Sequence, residues 1–74
     1  MDATQLQKEL IEAINNELDL CDYSETPIIC NMKSDAATRE MLVKEIEKRV
    51  LQQHIDIADA IVQIDNEYNP NTLD

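Results

Sequence analysis

Seventy-four residues carrying 16 acidic and 6 basic side chains stand at a formal −10 at pH 7, with no Gly, Phe or Trp among them. That charge opposes direct contact with DNA, RNA or anionic lipid, and apolar runs of three residues or fewer cannot span a bilayer. A chain this short buries only about 60% of its unfolded surface and draws roughly 3–5 kcal/mol from one core, so a staple or a partner is expected.

The first helix is predicted over residues 3–21. Asp2 and Thr4 are both good N-caps, and Thr4 with Gln7 has the capping-box spacing. Leu6, Leu10, Ile14, Leu18 and Cys21 follow at steps of four or three, which is one helical face. Residues 22–34 form the connection. Within it Thr26-Pro27 reads as an N-cap and first helical residue, which predicts a short turn or helix over 27–32, with a brief extended segment through Pro27–Cys30 fitting nearly as well.

A long helix is predicted over 35–67, capped by Ser34 or Asp35 and unbroken until the residue before Pro70. Glu40–Lys44 and Glu45–Arg49 have the favourable acid-before-base spacing of four. A heptad reading puts Ala36, Val43, Val50, Ile57 and Ile64 at one seam position, and Arg39, Ile46, Gln53 and Ala60 at the other. A kink near 52–56 is the alternative, because Asp56 can cap a separate helix. The chain thus reads as all-α, with residues 1–68 as one helical domain and 69–74 as a frayed tail.

If the two main helices form an antiparallel hairpin, facing residue numbers sum to about 56. The first helix is then used up near the low fifties, and the last turns of the long helix lack an intrachain partner. Those turns are densely apolar: Ile55, Ile57, Ala58, Ala60, Ile61, Val62 and Ile64 cover an arc of about 220°. The expectation is a homodimer, a dimeric bundle joined through Ile55, Ile57, Ala58, Ile61, Val62, Ile64 and Tyr68. An obligate heteropartner and a compact three-helix monomer folded at the kink are the competing forms. The same register pairs Glu17 with Arg39, a polar pair on the seam that would fix the alignment.

Little in the chain points to catalysis. His54 is the single histidine, and helical phase centres it on the apolar arc, at the expected dimer seam. Glu9/Glu12 and Asp56/Asp59 have a metal-ligand spacing, but phase puts Glu12, Asp56 and Asp59 toward solvent, where a charge run is normally just a solvated face. Cys21 reads as core and Cys30 lacks an identifiable base, and both are expected as free thiols of a cytoplasmic protein. No cofactor or metal is expected, no membrane or nucleic-acid contact, and no enzymatic activity. The expected function is protein–protein interaction by self-association, with Glu9, Glu12, Asp56, Asp59 and Gln63 on outer faces free for a partner. The second expectation is an acidic inhibitor or antitoxin-like protein that masks a basic surface of its target.

Overall fold

The computed structural model describes residues 3–68, which form four helices: α1 Ala3–Leu20, α2 Pro27–Met32, α3 Ala36–Gln53 and α4 Ile57–Tyr68. There is no strand among the described residues. The first N-cap position and the tail from 69 to 74 lie outside them.

α1 forms where its apolar stripe is spaced for it. Ile14 and Leu18 are fully buried, Leu10 and Cys21 pack at the core's edge, and Leu6 at the far end is exposed. α3 lies antiparallel to α1, since Arg39 near the start of α3 reaches Asn15 and Asp19 near the end of α1. The facing rule near 56 therefore describes this pair.

The long helix over 35–67 is not continuous. It breaks at residues 54–56, and α4 turns back antiparallel to α3: Arg49 meets Glu67 and Gln53 meets Gln63. The break turns on His54, whose φ of 56° and ψ of 43° are left-handed. Its backbone N–H closes α3 on the Val50 carbonyl. This is a C-terminal cap that glycine ordinarily supplies, and in a chain without glycine a histidine takes it. Ile57 then begins α4, with Asp56 at the cap position and its carbonyl accepting the Ala60 N–H at 3.1 Å.

Folding back gives α3 two neighbours. Of the heptad positions on α3, Val43 and Ile46 are buried, while Ala36 and Gln53 are exposed. Leu42 is buried too, and with Ile64 it lines the groove between α3 and α4. One core gathers Ile14, Leu18, Ile29, Leu42, Val43 and Ile46 with Ala60, Ile61 and Ile64 of α4.

Candidate functional site

Two helix ends in this fold are completed by side chains from elsewhere in the chain. The N-terminus of α2 begins at Pro27 behind Thr26, as the sequence suggests, but the Thr26 side chain makes no cap bond. Asp65 of α4 does so instead: it is 2% exposed, and its Oδ1 accepts the Ile29 N–H at 2.9 Å. At the C-terminus of α1, the Lys33 ammonium donates to the carbonyls of Leu18 and Cys21. A cation there also opposes the negative end of the helix dipole. Arg39 donates to the Asn15 carbonyl at 3.0 Å on the same helix. α3 is capped locally at its N-terminus by Asp35, whose carboxylate accepts the Thr38 N–H and hydroxyl.

The expected partner of Arg39 needs correcting. Arg39 joins α3 to α1, but through Asp19 at 2.8 Å and the Asn15 side chain at 3.0 Å. Asn15 and Asp19 are four apart and share a face. Glu17, between them in sequence, is about 200° away around the helix and lies on another flank. The Glu45–Arg49 and Glu40–Lys44 pairs do form, at 2.8 and 3.9 Å. Arg49 does more than its spacing implied: it also grips Glu67 with both terminal nitrogens, tying α4 to α3. Those bonds hold the Glu67 carboxyl below its usual value and raise the Arg49 pKa further.

The residues expected at a dimer interface divide into three groups. Ile61 and Ile64 are buried in the chain's own core, and Ile55 and Ile57 pack partly against it. Ala58, Val62 and Tyr68 remain exposed. The overhang without an intrachain partner, on which that interface was argued, is absent because that stretch is α4, which folds back onto α1, α2 and α3. His54 is exposed at the break rather than centred on an apolar arc, since the left-handed turn resets the helical phase. Gln63 is not free on an outer face: it donates to Gln53 and accepts from Arg49. Glu9, Glu12, Asp56 and Asp59 are exposed, and among the described residues no three acids, cysteines or histidines converge as metal ligands do.

One of the accessible grooves is displayed by no stretch of sequence. The end of α1, the connection over 21–26 and one flank of α4 enclose a space of about 120 Å³. Leu20, Cys21, Ala58, Ile61 and Val62 supply its apolar surface, and Glu17, Asp22 and Glu25 its charge. Asp22 is fixed in place: its Oδ1 accepts the Ser24 N–H at 2.9 Å and the Glu25 N–H at 3.2 Å. A bond from the Ser24 hydroxyl, first, and then these backbone bonds keep its carboxyl below the ordinary range. Burial, first, pushes the Cys21 thiol up, which leaves it a poor nucleophile near neutral pH. Both cysteines are free thiols, and the hydroxyl of Thr26 lies 3.8 Å from the buried Cys30 sulfur.

No family model matches the chain, and no curated protein or solved structure matches it either. The functional reading rests on these side chains alone.

Proposed function

We propose that this chain is a small acidic helical module for protein–protein interaction whose partner presents a basic surface. The distribution of charge carries the reading. Lys33, Arg39 and Arg49 are engaged by the chain's own carbonyls and carboxylates, while Glu9, Glu12, Glu25, Asp56 and Asp59 face solvent. Lys8, Lys44 and Lys48 are exposed as well, but the exposed carboxylates outnumber them, and that outward negative field steers association toward cationic surfaces and suppresses acidic partners. Binding rather than catalysis is the proposed role. Free thiols at Cys21 and Cys30 fit a reducing compartment such as the cytoplasm. Among the described residues no helix is long and apolar enough to cross a membrane.

The test is to immobilise the protein, identify what it retains from the cells that make it, and titrate the purified pair across salt. Affinity falling steeply with salt is the expected result. Affinity that ignores salt would sink the basic-surface reading and leave an apolar contact in its place.

Self-association is the second reading, favoured by Ala58, Val62 and Tyr68, the apolar residues of α4 that stay exposed. Light scattering behind size exclusion, over a dilution series, separates the two. A constant mass of 8.5 kDa supports a module awaiting another protein, and twice that mass supports a homodimer.

A further inference from the structure

We propose that the groove between α1, the 21–26 connection and α4 takes the apolar face of a Lys/Arg-rich amphipathic helix from another protein. One aliphatic side chain sits among Leu20, Ile61 and Val62, and flanking cations lie over Glu17, Asp22 and Glu25. This rests on the interaction reading above and gives it a location and a ligand chemistry.

Charge singles out this groove among those on the surface. Between α1 and α3, Glu40 is answered by Arg39 and Lys44 in the same lining. Between α3 and α4, Glu45 and Glu67 are answered by Arg49. The groove of Leu6, Leu10 and Leu51 has one carboxylate, Glu47. The 17–26/58–62 groove has three carboxylates and no Lys or Arg among its lining residues. The cation at this end of α1, Lys33, is bound to the carbonyls of Leu18 and Cys21.

Shape and rigidity agree with that occupant. Leu20 closes α1 at 77% exposure, the most exposed of the large apolar side chains described. A space of about 120 Å³ is of the order that holds one small hydrocarbon group, not a cofactor. Its walls are set before binding: Ile61 and Thr26 are buried, and the 22–25 turn is pinned by Asp22. Little ordering is then left to do on association. An amphipathic helix docks by apolar anchors three or four residues apart, which leaves its flanking positions to meet the rim. A second copy is a poor occupant, because it brings a −10 chain to three carboxylates. Anionic lipid is repelled for the same reason.

The probe is a synthetic helical peptide with leucines at i, i+4 and i+7 flanked by lysine and arginine, titrated into the 15N-labelled protein. Amide shifts are expected to cluster at residues 17–26 and 58–62. Leu20→Ser is expected to weaken binding about tenfold, as loss of one well-seated aliphatic contact does. Leu20 is exposed, so this variant keeps the fold, and unchanged amide shifts outside the groove check that. The double variant Glu17→Gln, Glu25→Gln is expected to weaken binding and flatten its salt dependence. Shifts spread over the whole acidic surface, with affinity indifferent to Leu20→Ser, would overturn the groove while leaving a basic-partner module standing. No binding at low salt, by this peptide or by a lysine-only control, would overturn both.

Discussion

Asp65 and His54 are single residues on which the placement of α4 depends, and each makes a prediction of its own. Asp65 satisfies a backbone donor of α2 from a position 36 residues away, inside the core. Asp65→Ala leaves the Ile29 N–H buried and unanswered, which costs about 1–3 kcal/mol. Asp65→Asn keeps an accepting oxygen and is expected to recover most of that loss. Urea unfolding checks both, with the midpoint moving and the slope unchanged. His54 runs the other way. A left-handed residue with a Cβ costs about 1–2 kcal/mol, and glycine relieves it while adding about 0.5–1 kcal/mol of unfolded-chain entropy. His54→Gly is therefore expected to stabilise the fold by up to about 1.5 kcal/mol. A lower midpoint would mean the imidazole makes a compensating contact. Only part of this was legible in the sequence. Arg39 is visible as a polar residue on an apolar seam, but choosing Asp19 over Glu17 needs the helical phase of α1 rather than the sum of residue numbers. Asp65 gives no local signal, because its partner belongs to another helix.

At the scale of elements, local chemistry was readable and long-range chemistry was not. Pro27 behind Thr26, Asp35 ahead of α3 and the stripe of α1 each declare themselves over a few residues, and those helices lie where the spacing puts them. The break at 54–56 is disguised by heptad continuity from Val43 to Ile64 and by the lack of glycine or proline. Asp56 was its one visible sign. The carboxylates at these joints also set the response to acid. Asp22 in its turn, Asp35 at its cap and Glu67 on Arg49 all titrate below their ordinary values, through hydrogen bonds first. A carboxyl whose folded pKa is depressed contributes stability that is complete above its unfolded pKa, about 4, and is lost as pH falls through the folded value. The acid limb of stability should therefore begin near pH 4 and deepen below it. Asp35→Asn keeps a good cap residue and Glu67→Gln keeps a hydrogen-bond acceptor, so each is expected to shallow that limb in a urea-midpoint series against pH. A limb unchanged in both variants would shift the acid sensitivity to other groups.

At the scale of the whole molecule, the groove stayed hidden in the sequence because its walls come from α1, a loop and α4, and only folding at His54 brings them together. The same joint governs how many chains form one core. Ala60, Ile61 and Ile64 are buried by α1, α2 and α3 of their own chain only because α4 turns back. Were α3 and α4 one rod, about 32 residues at 1.5 Å each, those side chains would project beyond the hairpin. A second copy could then bury them against the same partners. Such an exchange conserves the contacts, so hinge preference and protein concentration decide it. His54→Ala with Asp56→Ala removes a residue type tolerant of the left-handed turn and the residue at the α4 cap position, and both replacements favour a continuous helix. The expected outcome is wild-type protein at 8.5 kDa and a double variant moving to twice that mass as concentration rises. Placing glycine at 54 in the variant should return it to a single chain. A double variant that stays folded at the single-chain mass would show that docking of α4 outweighs helix propagation. In that case the heptad spacing that runs through the break is packing for one chain and encodes no exchange.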